Sequence, residues 1–144
     1  MQNRLIEIFN ETDFDQFDIE LMESITSQLT DRPVELMIVD DERMRTLNKT
    51  YRDIDKTTDV LSFPMQEIPN APLGSIVINA DKVLHTAKEL GHSAKDEFAL
   101  LYIHGLLHLL GYDHESDNGE MRAMEEKLII EYNLPKSLII RTYE

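Results

Sequence analysis

Ser93-Ala-Lys-Asp-Glu-Phe-Ala-Leu-Leu-Tyr-Ile-His104-Gly-Leu-Leu-His108-Leu-Leu-Gly111-Tyr-Asp-His114 is the stretch on which the reading of this chain turns. Ser93 followed three residues later by Asp96 has the spacing of a capping box, so a helix opens there. From Phe98 to Leu110 the chain is almost wholly apolar, which marks a helix buried in a core. Its 13 residues fall short of the ~20 needed to span a bilayer. Gly111 permits the positive φ that stops the helix. Two imidazoles inside so greasy a helix carry a desolvation cost unless they bind something. His104 and His108 lie one turn apart on the same face, and the turn at Gly111 brings His114 back toward them. Three neutral nitrogens can then share one ion with a fourth position open, the pattern of a catalytic zinc.

Working outward, the alternation from Arg4 to Phe9 predicts a strand, and the spacing Phe17, Leu21, Ile25, Leu29 predicts a helix. Val34 to Val39 reads as a strand. Asp40 and Asp41 cap a helix running to about Tyr51, with Met44 and Leu47 facing inward. Val60 to Phe63 is a short strand ended by Pro64, Gln66 to Pro72 a loop, and Gly74 to Asn79 another strand. Ala80 to Leu90 forms a helix closed by Gly91. A last helix covers Gly119 to Tyr132, followed by a tail with one apolar cluster, Leu138 to Ile140. The expected fold is α+β: a small mixed sheet packed against about five helices, with the zinc site at the end of a buried central helix. At 144 residues without repeats or linkers, the chain reads as one domain, 1–144.

Cysteine is absent, which removes disulfides, thiolate nucleophiles and zinc sites built on sulfur, and leaves histidine and carboxylates as strong metal ligands. Met1 to Asn10 carries no signal-peptide pattern, so a cytoplasmic location is expected. The net charge of −14 has the wrong sign for a chain that coats polyanions indiscriminately. The acidity is uneven, however. Residues 1–42 hold 12 acidic and 2 basic side chains, whereas residues 43–56 carry five bases (Arg43, Arg45, Lys49, Arg52, Lys56) against Asp53 and Asp55. One helix and the loop after it form the basic patch.

The histidine spacing is that of the metzincin proteases, which place a glutamate general base directly after the first histidine. Gly105 occupies that position, so peptidase chemistry lacks its proton acceptor, and another metal-assisted hydrolysis is favoured.

The run His104 to His114 resembles the histidine signature of the YbeY family, bacterial endoribonucleases of ribosomal RNA maturation. Asn48-Lys-Thr-Tyr-Arg52-Asp-Ile-Asp-Lys-Thr-Thr-Asp-Val-Leu-Ser-Phe-Pro64 is similar to a second block of that family, and Leu73-Gly74-Ser-Ile-Val-Ile to a third, in which members often carry Asp where this chain has Ser75. The resemblance implies one Zn2+ held by His104, His108 and His114, and a functional arginine at Arg52. It implies cleavage of single-stranded RNA, in small-subunit rRNA 3′-end processing and ribosome quality control, with ribosomal particles or ribosome-associated proteins as partners; neither DNA nor a membrane is expected. Arg52 suits that chemistry, because a guanidinium fork can hold two non-bridging phosphate oxygens as charge builds on them. Asp59, His85 and Asp113 are possible general bases by residue type, each with an ordinary alternative: Asp59 bracing a turn, His85 facing solvent, Asp113 orienting a ligand histidine. His92 is given no role. Two other readings are a non-catalytic ribosome assembly factor with a structural metal, and a metallopeptidase drawing its base from elsewhere.

Overall fold

The computed structural model of the chain describes residues 4–65, 71–113 and 118–138. Four strands, β1 (Ile6–Asn10), β2 (Val34–Val39), β3 (Val60–Pro64) and β4 (Gly74–Asn79), form one sheet in the order β1-β2-β4-β3. β1, β2 and β4 run parallel, and β3 pairs antiparallel with β4 at the margin. Five helices complete the described chain: α1 (Ile19–Leu29), α2 (Asp41–Arg52), α3 (Ala80–Leu90), α4 (Ala94–Leu109) and α5 (Glu120–Glu131). The α+β class, the mixed sheet and the helix number agree with expectation.

Local chemistry sets the helix ends. α1 begins at Ile19 rather than Phe17 because the Asp18 carboxylate accepts the Leu21 N–H at 3.2 Å. Phe17 stacks instead on Phe98, ring centroids 5.2 Å apart. Asp40 caps α2 by accepting the Arg43 N–H at 2.8 Å, and Ser93 caps α4 by accepting that of Asp96 at 3.1 Å. α4 ends at Leu109, and Gly111 adopts φ 101°, a left-handed conformation that a side chain would strain. β1 starts at Ile6 rather than Arg4. Of the expected loop at 66–72, residues 66–70 lie outside the described residues, as do Ile139 and Ile140; Leu138 is buried.

The sheet's two faces carry different layers. Leu36, Ile38, Ile76 and Ile78 face the larger core, with Met22 and Ile25 of α1, Val83 of α3, Phe98 and Leu106 of α4, and Met121 and Leu128 of α5. Val39, Leu61 and Val77 face Met44 and Leu47 of α2. α4 lies against β3 and β4, close enough that the Ser62 hydroxyl donates to the Gly105 carbonyl at 3.1 Å. A Cβ on Gly105 would stand 2.8 Å from Ile76 Cγ2. That approach requires glycine, and it directs this position at the sheet.

Candidate active site

A cleft of about 750 Å3 runs along the outer edge of β3. Its walls descend from opposite faces of the sheet: Tyr51 and Arg52 at the end of α2 on one side, His104 and His108 of α4 with Gly111 to Asp113 on the other, and β3 itself as floor. The Asn79 N–H donates to Asp59 O at 2.9 Å and the Met65 N–H to Leu73 O at 3.0 Å. These bonds put the hydrogen-bonded pairs of the β3/β4 ladder at odd-numbered β3 residues. Val60 and Ser62 therefore turn their backbone polar groups outward to the cleft, with no strand among the described residues beside them.

The two histidines are oriented from behind. His104 Nδ1 lies 3.0 Å from Glu125 Oε1, and His108 Nδ1 lies 3.0 Å from the Tyr112 carbonyl. A carbonyl only accepts, as does a carboxylate, so both Nδ1 atoms carry the ring proton when the rings are neutral. That leaves the lone pairs on the Nε2 atoms, which face one another at 3.1 Å. Opposed lone pairs at that distance repel unless a proton or a metal ion stands between them. Two ligands of a tetrahedral ion with bonds of about 2.0 to 2.1 Å are separated by about 3.3 Å. The pair thus fits a metal ion without rearrangement, and the Nδ1 contacts supply the hydrogen bonds from behind that fix ring and tautomer. Among the described residues no three candidate ligands gather around one point. The third expected ligand, His114, lies outside the described residues; its neighbour Asp113 lines the cleft.

Sequence reasoning missed Glu125. Asp113, the carboxylate expected to orient a ligand histidine, lines the cleft, while His104 is held by Glu125, which is buried at 5% exposure. Its signal was readable. Met121, Glu125, Leu128 and Ile129 are the buried positions of α5, one face of a helix on which an acid is out of place unless it serves something.

The other candidates divide. Asp59 and Asp113 line the cleft with the histidine pair. His85 is exposed and pairs with Glu89 at 3.2 Å, as a solvent-facing residue would. His92, given no role above, has a buried side chain with its Nε2 2.7 Å from Glu97 Oε1, where it ties the α3–α4 turn to the first turn of α4. Ser75 is held by Glu35 at 3.3 Å and takes no part in the cleft lining.

The basic patch is narrower than the charge count suggests. Arg43 pairs with Glu11 at 3.4 Å and Arg45 with Asp55 at 2.9 Å. The hydrogen bond from Arg45 holds the Asp55 carboxyl below its ordinary value. Arg52, Lys49 and Lys56 form no ion pair among the described residues, and of these Arg52 lines the cleft.

Residues 3–133 match the family described as endoribonuclease YbeY. The chain belongs to the YbeY family. An endoribonuclease YbeY from Nautilia profundicola is 55% identical over 137 residues, covering 95% of this chain and 98% of its own. That of Sulfurimonas denitrificans is 58% identical over 124 residues, 86% of this chain and 89% of its own. The solution structure of a Thermotoga maritima protein shares the fold with a TM-score of 0.61 at 29% identity, covering 88% of each chain. For this YbeY-family chain, no helix among the described residues is long and apolar enough to cross a membrane.

Proposed function

We propose that this YbeY-family chain acts over its whole length, as one domain, as a zinc-dependent endoribonuclease cutting single-stranded RNA in the cytoplasm. Its task is ribosomal RNA maturation at the small-subunit 3′ end and ribosome quality control, with ribosomal particles as partners. The observation that carries this reading is the opposed pair of Nε2 atoms, each backed at Nδ1, in a cleft that also holds Arg52. His104, His108 and His114 are the ligands. Zinc bound there supplies Lewis acidity toward oxygen. Glu125 and the Tyr112 carbonyl keep the two rings aimed and hold their protons at Nδ1. Arg52 reaches the cleft from the opposite wall and neutralises charge developing on the phosphate oxygens. The outward N–H and C=O groups of Val60 and Ser62 offer further contacts to a strand laid along β3. With a net charge of −14, non-specific affinity for RNA is low, and a ribosomal partner supplies the positive surface this chain lacks.

Metal analysis of the purified protein alongside cleavage of a single-stranded RNA, with chelator controls, tests the reading. The expected result is zinc near one equivalent, loss of both zinc and cleavage in His114→Ala, and loss of cleavage with zinc retained in Arg52→Ala. Full activity in either variant overturns the mechanism. A wild-type protein that binds ribosomal particles but cuts no RNA points to an assembly factor. A peptidase would have to draw its general base from elsewhere, because position 105 is pressed against Ile76, and a casein or peptide-library assay discriminates that reading.

A further inference from the structure

Tyr51 is 67% exposed at the end of α2, and unlike the exposed apolar side chains Phe9, Ile54, Leu84 and Ile130 it lines the cleft that holds the histidine pair. It is not loose. Its ring meets that of Phe63 edge to face, centroids 5.6 Å apart at 63°. Phe63 is anchored twice: its backbone lies in the β3/β4 ladder opposite Ser75, and its ring packs against the cluster under α2. Both rings line the cleft that contains His104, His108 and Arg52. An edge-to-face pair leaves ring face available for a further planar group.

Arg52, the next residue, fixes the kind of planar group. A phosphate held by its guanidinium brings the adjoining nucleotide within reach of the neighbouring ring. Resting on the endoribonuclease reading, we propose that Tyr51, backed by Phe63, is the stacking platform for the base of a nucleotide flanking the scissile phosphate. A base inside a duplex is already stacked on both faces and paired at its edge, so it has no face to give. The platform therefore makes an unpaired base at that position a condition of productive binding, which converts a general phosphate cleft into a single-strand-specific one. Every base has a π-face, so the platform imposes single-strandedness without imposing sequence.

The test uses full-length, zinc-replete protein and single-stranded RNA carrying one abasic nucleotide, moved through each position around the cut. Stacking of one base on an aromatic ring is worth roughly five- to 150-fold. Tyr51→Ala is expected to lower kcat/KM about tenfold, chiefly through KM, while Tyr51→Phe and Tyr51→Trp remain near wild type. At one position the abasic nucleotide costs the wild type the same factor and costs Tyr51→Ala nothing more. Equal abasic penalties in both enzymes at every position, or undiminished cleavage by Tyr51→Ala, overturn the proposal. A stopped-flow arm follows 2-aminopurine placed at each position before cleavage. Quenching by wild type and Tyr51→Phe but not by Tyr51→Ala supports the platform even where no RNA is subsequently cut, a result that would sink the endoribonuclease reading alone. Cleavage without Tyr51-dependent quenching sinks the platform and leaves that reading standing.

Discussion

Replacing Glu125 by alanine removes the carboxylate that receives the His104 Nδ1 proton. The acid is nearly buried, the hydrogen bond is 3.0 Å long, and the histidine side chain is 29% exposed, so water only partly replaces what is lost. Leaving a mostly buried ring N–H unpaired costs about 1 to 2 kcal/mol. Loss of the carboxylate behind a ligand histidine reduces metal affinity or activity about 10- to 100-fold, equivalent to about 1.4 to 2.7 kcal/mol. The first cost falls on stability and the second on the metal, so a lower melting temperature together with a zinc affinity about 30-fold weaker is expected. Glu125→Gln retains an oxygen acceptor of the same reach and is expected to recover at least half of that loss on the free-energy scale. Competition against a chromophoric chelator gives both affinities, and circular dichroism melts confirm that α5 stays folded on Met121, Leu128 and Ile129. Wild-type affinity in Glu125→Ala would refute the assigned role. So would a glutamine variant as weak as alanine, since packing volume rather than the hydrogen bond would then be responsible.

Gly105→Ala places a methyl 2.8 Å from Ile76 Cγ2, and the required shift is expected to cost about 1 to 3 kcal/mol, visible as a lower urea midpoint with unchanged m-value. Tyr102 is fully buried with its hydroxyl 2.6 Å from that of Thr26, and desolvation raises its pKa well above the ordinary 10.0. The folded state holds this proton more tightly than the unfolded one, so the stabilisation is complete below pH 10 and declines as pH rises beyond it. Tyr102→Phe is expected to cost about 1 kcal/mol at neutral pH and to flatten that alkaline decline in a series of melts. Met44→Ala, in the core under α2, is expected to cost about 2 to 5 kcal/mol by chemical denaturation while zinc binding stays at the wild-type value.

What was legible in the sequence was what neighbouring residues decide. Ser93 with Asp96 and Asp40 ahead of Arg43 announce helix starts because the capping bond spans only three residues, and Gly111 announces a stop because its φ suits no other residue well. The four-residue spacing of His104 and His108 fixed their common face. Strand order was not legible: β2 and β4 are neighbours although α2 and β3 intervene in the chain, and nothing local encodes that. Nor could the sequence show that Arg52 shares a cleft with the histidines, since they lie on opposite faces of the sheet. Glu125 is easily missed for a different reason, its charge masking its place on the apolar face of α5. His92 gives no local signal, since it follows Gly91 in a turn, and what draws its ring inside is a partner five residues on.

A cleft that straddles the rim of a sheet has a mechanical consequence. Arg52 and Tyr51 are carried by α2, whose seat is the small cluster of Val39, Met44, Leu47, Leu61 and Val77; the histidines are carried by α4, set in the larger core. The halves of the site are registered to each other chiefly through the thickness of the sheet, like two jaws bolted to either side of one plate, with a lighter tie where α3 touches both α2 and α4. Misplacing a reacting group by about 1 Å can cost on the order of 100-fold in rate. A slack bolt under α2 would then pass in a kinetic screen for a damaged catalytic residue, with the ion still in place and nothing near the RNA altered.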